Sequence, residues 1–215
     1  MTHSVVATLL RLITGARAQW IGCEPHTRPR IYFANHTSNL DGPTIWSVLP
    51  PELRRLARPV AARDYWNGGR IRRYLATNIF NSILIERKQP TRTENPIDDM
   101  LRGLGDTGSL ILFPEGTRGP GPDPTEFKSG LFHIAKKRPD LELIPVLLDN
   151  MNRVLPKGEL LPVPLICSVL FGNPLPLIDG EPRDAFLSRA RQAVIDLRLA
   201  VIAPSSPPLR SRVSP

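Results

Sequence analysis

The chain has 215 residues, a length typical of one domain, and its 41% hydrophobic and 22% charged residues are typical of a globular protein with a buried core. Two cysteines, Cys23 and Cys167, exclude a disulfide framework or a cysteine metal cluster and favour a reducing compartment. The formal net charge is +8, and 23 of the 28 basic residues are arginine, which predicts anionic partners such as nucleic acid, a phospholipid surface or a phosphorylated metabolite.

The N-terminal segment, residues 3–20, predicts an amphipathic helix, because its apolar residues occupy one broad arc at about 100° per residue. Such a helix either packs on its own domain or lies in a membrane interface, with Trp20 near the headgroups and Arg11 and Arg17 near lipid phosphate. The stretch SVVATLLRLI does not resemble a signal peptide, and no stretch reaches the ~18 to 20 apolar residues of a membrane span. We therefore expect residues 1–22 to be an amphipathic helix, and a protein that works at a membrane would lie on its surface rather than across it.

After this segment, short apolar runs alternate with segments of helical periodicity. Strands are predicted at RIYFA (30–34), RPVAA (58–62), SILIE (82–86), SLILF (109–113), LELIPVLL (141–148) and LICSVLF (165–171). Helices are predicted at residues 42–49, 65–76, from Asn95-Pro96 onward, 129–137 and 181–202. The alternation predicts an α/β fold, with a mixed, largely parallel central sheet and helices on both faces. This domain would span residues 23–202, and a Pro/Ser-rich tail at 203–215 is expected to be disordered.

Two polar segments follow predicted strands. NHTSNLD (35–41) comes after the first strand, and PEGTRG (114–119) comes after the fourth. Loops at the carboxyl ends of parallel strands build the functional sites of such folds. Both segments are therefore predicted at the same edge of the sheet.

His36 and Asp41 can act as a base with its orienting carboxylate. A neutral imidazole can remove the proton of an attacking hydroxyl while a carboxylate on its other ring nitrogen fixes the tautomer. Asp41 is also a candidate N-cap for the helix at 42–49. The chain contains no GxSxG nucleophile elbow, so the pair suggests that the substrate brings the hydroxyl. A lone histidine near a helix start is more often structural, and residue chemistry alone leaves both interpretations open.

The second polar segment has the composition of a phosphate site. Gly116 lets backbone amides approach an anion closely, and Arg118 can bind phosphate through two parallel hydrogen bonds, beside the Thr117 hydroxyl. Arg87 and Lys128 are predicted on the same side of the sheet. A phosphorylated molecule with a free hydroxyl would fit both loops, whereas a surface ion pair between Glu115 and Arg118 is the alternative.

Four blocks of the sequence, in this order, resemble those of the lysophosphatidate acyltransferases, the 1-acylglycerol-3-phosphate O-acyltransferases. The HxxxxD spacing alone is weakly specific, but FPEGTR about eighty residues later makes the combination strong. The resemblance covers roughly residues 30–175. The blocks are NHTSNLD (35–41), ILIER (83–87), FPEGTR (113–118) and Ile144-Pro145-Val146.

The resemblance implies that a fatty acyl group passes from a thioester of CoA or acyl carrier protein to the free hydroxyl of 1-acylglycerol-3-phosphate, giving phosphatidate. His36 would be the general base and Asp41 its orienter. No metal or bound cofactor is expected. The helix at 3–20 would be a peripheral anchor at the cytoplasmic face of a membrane. The acceptor phosphate would be bound by Arg87, Glu115, Gly116 and Arg118. Thr117 and Lys128 are added to this set because a hydroxyl and an ammonium group on the same side of the sheet can also donate to phosphate.

Two alternatives remain open in the sequence. The second block has Asn81-Ser82 where the family often has a glycine, and Glu86 where it often has aspartate, so another lysolipid such as a lyso-ornithine lipid is an alternative acceptor. A nucleic-acid-binding protein would interleave arginines with aromatic residues, and residues 54–74 carry seven arginines with three aromatic residues. Because the blocks flank this segment, we interpret it as a contact for anionic headgroups or acidic carrier protein, and we expect no nucleic acid partner.

Overall fold

A seven-stranded sheet forms the centre of the computed structural model, which describes residues 2–86, 95–150 and 167–202. The spatial order of its strands is β1-β7-β6-β2-β5-β3-β4. β2 to β6 run in one direction, while β7 pairs antiparallel with β6 and β1 pairs parallel with β7. The sheet is therefore mixed and largely parallel, which confirms the predicted class. The strands are β1 (Arg17–Trp20), β2 (Arg30–Ala34), β3 (Ala57–Ala62), β4 (Ile83–Ile85), β5 (Ser109–Leu112), β6 (Glu142–Asp149) and β7 (Ser168–Phe171).

Helices cover both faces of the sheet, as predicted. α1 to α3 and a π-helical turn at Leu75–Ile79 pack on one face, and α6 to α8 pack on the other. No helix within the described ranges is long and apolar enough to cross a bilayer. The helices are α1 (Thr2–Thr14), α2 (Asp41–Val48), α3 (Pro51–Leu56), α4 (Arg63–Trp66), α5 (Arg70–Tyr74), α6 (Pro96–Leu104), α7 (Gly130–Lys137) and α8 (Arg183–Ile202).

The core lies in two layers, one on each side of the sheet. In β2, Tyr32 and Ala34 pack against the layer that contains α1 to α3, whereas Ile31 and Phe33 pack against the layer of α6 to α8. Every residue of β2 is buried. A strand covered on both faces needs apolar side chains at successive positions, which explains why these strands are continuous apolar runs in the sequence.

The N-terminal segment differs from the prediction of one helix over residues 3–20. α1 ends at Thr14, and Gly15 then takes a left-handed conformation with φ +59°, which commonly terminates a helix. The chain continues as β1, the edge strand beside β7. Trp20 stacks on Phe171 with ring centroids 4.0 Å apart, so it belongs to the sheet edge. The apolar periodicity continues past Gly15, and only the pairing with β7 decides that the segment is extended.

The predicted helix at 65–76 is also wrong in its bounds. The chain forms α4, breaks at Gly68-Gly69, and resumes as α5 and the π-helical turn. Consecutive glycines disfavour a continuous helix because they lose the most backbone entropy on folding. α3 was not predicted, whereas α6 begins as expected, since the Asn95 side chain accepts a hydrogen bond from the Ile97 N–H at 3.0 Å. The predicted tail, 203–215, and residues 165–166 of the sixth predicted strand lie outside the described residues.

Candidate active site

The two polar loops meet at the carboxyl edge of the sheet, because β2 and β5 are parallel neighbours. The Gly119 N–H donates to the His36 carbonyl at 2.8 Å, and the His36 N–H donates to the Glu115 Oε1 at 2.7 Å. The sequence predicted their common edge, and these contacts confirm it. Backbone and side-chain hydrogen bonds therefore hold the loop after β2 against the loop after β5.

Asn35 fixes the point at which the chain leaves the sheet. Its Oδ1 accepts from the Leu148 N–H at 2.8 Å, and its Nδ2 donates to the Leu148 carbonyl at 3.0 Å. These two bonds extend the pairing of β2 with β6 through a side chain. The backbone of the next residue, His36, is thus free to turn towards the β5 loop.

His36 and Asp41 form a hydrogen-bonded pair. The Nδ1 of His36 lies 2.8 Å from the Oδ2 of Asp41, whose side chain is fully buried, while the His36 side chain is 15% exposed. The same Oδ2 accepts from the N–H groups of Thr37 and Ser38, at 2.6 and 2.8 Å. Asp41 is the first residue of α2 and bonds to groups that precede the helix, so its prediction as an N-cap is wrong.

The imidazole of His36 is held in place on a second side by Phe113. The two rings stack with centroids 4.3 Å apart and an interplanar angle of 22°. Nδ1 is bonded to Asp41, and His36 lines the cavity. Nε2, on the opposite side of the ring, is therefore the nitrogen available to accept a proton from a molecule in the cavity. This geometry suits a general base whose tautomer and orientation are set in advance.

Glu115 lies behind the cavity rather than in its wall. It is 2% exposed, and besides the His36 N–H its carboxylate accepts from the Thr125 N–H at 2.8 Å and the Thr125 Oγ1 at 2.7 Å. Its role as a phosphate ligand stays a prediction, since the contacts it makes are with protein groups. Thr125 was missed because the proline-rich stretch around it carries no motif.

A cavity of about 350 Å³ opens in front of His36. Thr117 and Arg118 line one part of it together with His36. Asp64 also lines the cavity, and much of the remaining wall is apolar, so charged and polar groups occur together with a surface for hydrocarbon. The apolar wall includes Pro59, Val60, Ala61, Ala62, Trp66, Phe80 and Phe113.

The predicted phosphate residues gather beside this cavity, with one exception. Gly116 has φ +70°, and a Cβ added there would lie 2.8 Å from the Nζ of Lys128, so the ammonium group covers this turn. Within the part of the chain that the structure describes, neither Thr117 nor Arg118 forms a side-chain hydrogen bond or an ion pair. Arg87 lies outside the described residues.

Cys167 lies in the buried layer close to Asp41, but it does not line the cavity. Burial, with a smaller contribution from the negative charges of Asp41 and Asp149, raises the pKa of the Cys167 thiol to about 12. The thiol is therefore protonated at neutral pH, and Cys167 is unsuited to be a nucleophile. Among the residues whose placement is described, no group of three or more histidine, cysteine or acidic side chains could hold a metal ion.

Comparison with known proteins places these residues in context. A sequence model of the family described as Acyltransferase matches residues 22–149. The chain is 30% identical over 136 residues to the 1-acyl-sn-glycerol-3-phosphate acyltransferase of Haemophilus influenzae, covering 57% of this chain and 51% of that protein. The Escherichia coli protein of the same name is 28% identical over 137 residues, covering 58% and 51%. The chain thus spans about half the length of these two relatives.

The same architecture occurs in a solved structure. The crystal structure of the 1-acyl-sn-glycerophosphate (LPA) acyltransferase PlsC from Thermotoga maritima superposes with a TM-score of 0.68 at 20% identity. The superposition covers 91% of this chain and 79% of that one. At this identity the likeness concerns the fold.

We predict that Glu115 supports the folded loop. Glu115→Gln should lower the free energy of unfolding by ~1 to 3 kcal/mol, because it leaves buried N–H groups facing an amide that cannot accept from all of them. Urea denaturation followed by circular dichroism measures this change. Glu126→Gln, at an exposed neighbouring position, is the matched control, and Thr125→Ser keeps both bonds to Glu115. Equal stability of Glu115→Gln and Glu126→Gln would contradict the supporting role.

Proposed function

Because the chain belongs to the acyltransferase family, we propose that it transfers a fatty acyl group from an acyl thioester to the free hydroxyl of 1-acylglycerol-3-phosphate, giving phosphatidate. The observation that carries the proposal is the His36–Asp41 pair, which borders a cavity with the side chain of Arg118 in one part and apolar residues in the other. An amphiphile with a hydroxyl close to its phosphate is the class of molecule that such a cavity accepts.

In the proposed reaction, the Nε2 of His36 takes the proton of the acceptor hydroxyl as the oxygen attacks the thioester carbonyl. The new C–O bond forms, the tetrahedral intermediate collapses, and the C–S bond breaks. The departing thiolate then receives the proton from the His36 imidazolium. The enzyme returns to its starting protonation state, and no protein group is acylated.

Asp41 is proposed to orient and stabilise the base. Its Oδ2 accepts from the N–H groups of two successive residues as well as from the imidazole, so the carboxylate cannot rotate without breaking three hydrogen bonds. A fixed, ionised carboxylate at this position stabilises the imidazolium that forms during proton transfer. Its complete burial strengthens this interaction, because the local dielectric constant is low.

The acceptor phosphate is proposed to bind at Gly116, Thr117, Arg118 and Lys128. In 1-acylglycerol-3-phosphate the free hydroxyl is on the carbon next to the one that bears the phosphate ester. The phosphate and the base must therefore be close together, which agrees with Arg118 and His36 lining one cavity. Phosphate would give the Arg118 guanidinium a partner able to accept two parallel hydrogen bonds. Arg87 remains part of the proposed set on the resemblance alone.

The apolar wall is proposed to contact the hydrocarbon chains. Val60, Trp66, Phe80 and Phe113 offer an apolar surface suited to an acyl chain. The acyl donor is a thioester of CoA or of acyl carrier protein, and the proposal includes no resident metal or cofactor. A lyso-ornithine lipid is the alternative acceptor, and it shares the hydroxyl chemistry but lacks the phosphate.

The protein is also proposed to bind the anionic, cytoplasmic face of a membrane peripherally. Val5, Leu9 and Leu12 form one stripe on α1 and are 66, 55 and 72% exposed. α5 adds exposed Ile71 and Tyr74 between arginines. An exposed apolar stripe with neighbouring cations is typical of a helix that lies in the lipid interface.

His36→Ala should lower kcat by ~10² to 10⁴-fold, because general-base assistance contributes about that factor. The measurement is acyl transfer from a radiolabelled long-chain acyl-CoA to lysophosphatidate by the purified protein, with acyl carrier protein thioesters as the second donor. His133→Ala, which removes an exposed histidine on α7, is the matched control. Turnover by His36→Ala equal to that of the wild type would refute the mechanism.

Arg118→Gln should raise KM for lysophosphatidate by ~10- to 100-fold, because a charge-assisted bond to phosphate is lost. KM for the acyl donor should not change. Assays with lyso-ornithine lipid in parallel identify the acceptor, since that lipid has no phosphate for Arg118 to bind. Arg102→Gln, at an exposed position on α6, is the control. If product formed only from the lyso-ornithine lipid, that lipid and not lysophosphatidate would be the acceptor.

Leu9→Gln should weaken binding to anionic phospholipid vesicles by ~10-fold or more, because a leucine side chain can no longer be buried in the bilayer. Co-sedimentation at fixed salt measures the partition. Leu199→Gln, which replaces an exposed leucine on α8, is the matched control. Tighter and more salt-resistant binding of the wild type to duplex DNA than to vesicles would favour the nucleic acid interpretation instead.

A further inference from the structure

A second groove lies between α1 and α3, away from the cavity at His36. Its two parts, of about 250 and 240 Å³, share Ser4, Pro51 and Arg54 in their walls. α2 separates the two sites: Gly42 at its beginning lines the catalytic cavity, and Val48 at its end lines the groove. The six helical steps from Gly42 to Val48 span about 9 Å, and the two cavities share no lining residue among those described, so they are separate sites.

The groove is cationic. Arg11, Arg54 and Arg55 line it, and none of the three forms an ion pair with a carboxylate among the described residues. No acidic side chain belongs to its described wall. Three arginines without a carboxylate repel one another, and an anion between them would relieve that repulsion.

Arg54 is the central and most buried member of this group. It is 7% exposed, its Nη2 donates to the Leu49 carbonyl at 2.9 Å, and its guanidinium lies 5.3 Å from the centroid of the Trp46 ring. Its Nε is buried and has no hydrogen-bond partner. Burial, and secondarily the charge of Arg11, lower the pKa of Arg54. A buried cation without a carboxylate partner is costly, and an anion in the groove would offset part of that cost through its charge.

α1 supplies hydroxyl groups to the same wall. Ser4, Thr8 and Arg11 are spaced by four and three residues, so they form one stripe of the helix, and the Arg11 Nη2 donates to the Thr8 Oγ1 at 3.2 Å. Guanidinium and hydroxyl groups together can donate to the several oxygens of one phosphate. The groove therefore has the donors that a phosphate group needs.

The exposed apolar stripe of α1 lies directly beside the groove residues of the same helix. Val5, Leu9 and Leu12 each follow one of the groove residues by a single position, about 100° around the helix. A lipid whose phosphate lies in the groove would have its hydrocarbon beside these side chains. A free phosphate ion would use the same donors but none of the apolar stripe.

We propose that the groove between α1 and α3 binds the phosphate group of a membrane phospholipid, with Arg11, Arg54 and Arg55 as its cationic ligands. This inference rests on the proposed membrane contact of α1 and gives it a defined headgroup site. The site is distinct from the acceptor site at Arg118. It would hold the enzyme on the membrane with α1 oriented, and it takes no part in the chemical step.

The first test isolates phosphate chemistry from the membrane and from the catalytic cavity. In an Arg118→Gln background, thermal unfolding is measured with inorganic phosphate and with glycerol 3-phosphate against chloride at equal ionic strength. Both should raise Tm, because a ligand that binds only the folded state stabilises it. Arg11→Gln in the same background should weaken the phosphate affinity by ~10-fold or more. Arg54→Gln should abolish the shift, and circular dichroism checks that this variant is folded.

The matched control is Arg17→Gln, which removes one exposed charge from the neighbouring strand β1 without touching the groove. It should keep the full Tm shift. A shift that is absent with both phosphates, or that Arg11→Gln and Arg17→Gln reduce equally, would overturn the site. Because Arg11 and Arg17 both lie outside the cavity at His36, the difference between their variants is independent of whether the proposed acyl transfer is correct.

The second test identifies the source of the phosphate. Vesicles of phosphatidylcholine with phosphatidylglycerol are compared with pure phosphatidylcholine by co-sedimentation. Arg11→Gln should weaken binding to the anionic vesicles by ~10-fold or more, whereas loss of a non-specific surface charge in Arg17→Gln should weaken it by at most ~5-fold. The lipid proposal would be wrong if both variants lost vesicle binding equally while free phosphate still raised Tm. The groove would then bind a soluble phosphate compound.

Discussion

Two buried carboxylates hold the loop at His36 by its backbone. The N–H groups of His36, Thr37 and Ser38 follow one another in the chain, and all three donate to carboxylate oxygens, the first to Glu115 and the other two to Asp41. A buried carboxylate is costly unless its oxygens are bonded, and a buried N–H is costly unless it donates. The loop N–H groups satisfy the Oδ2 of Asp41 and the Oε1 of Glu115, whereas the buried Oδ1 of Asp41 has no hydrogen-bond partner within the described part of the chain. The loop and the two acids therefore hold each other in place. The position of the imidazole follows from this arrangement.

The support of this loop extends across the whole fold. Glu115 is bonded to Thr125, and the stretch before Thr125 is bonded to α8, where Arg191 donates to the Pro124 carbonyl at 2.8 Å and Arg198 donates to the Pro122 carbonyl at 3.0 Å. The last described helix of the chain therefore stabilises a loop that follows β5, which in turn holds the loop after β2. The geometry of the His36–Asp41 pair therefore depends on contacts from β5, β6 and α8, although the two residues are only five positions apart in the chain.

The basic residues serve different purposes that the net charge does not distinguish. Arg30 is buried and donates to Glu142 at 2.8 Å, and Arg58 donates to the Asn81 carbonyl at 2.9 Å, so both hold the fold together. Arg118 lines the cavity at His36, and its side chain forms no hydrogen bond or ion pair within the described residues. Arg11 lines the groove between α1 and α3 and, in the same described ranges, donates to the Thr8 hydroxyl alone. An arginine with few or no protein acceptors marks a place where an anion lowers the energy, whereas a well-bonded arginine marks a structural contact. The bonding of each arginine therefore separates candidate ligand sites from scaffold, which the net charge cannot do.

The sequence by itself determined the features that depend on neighbouring residues. The apolar runs predicted the central strands, and the loops after the first and fourth of them placed His36, Asp41 and Arg118 at one edge, because the carboxyl ends of parallel strands lie on the same side of a sheet. Tertiary structure alone decided the order of the strands and the features that depend on distant partners. α1 stops at Gly15, where the chain pairs with β7, Glu115 accepts hydrogen bonds from Thr125, and the buried Nε of Arg54 has no partner among the described residues. A hydrogen bond between residues far apart in the chain leaves no periodicity or spacing in the sequence, so these contacts exist only once the layers are assembled.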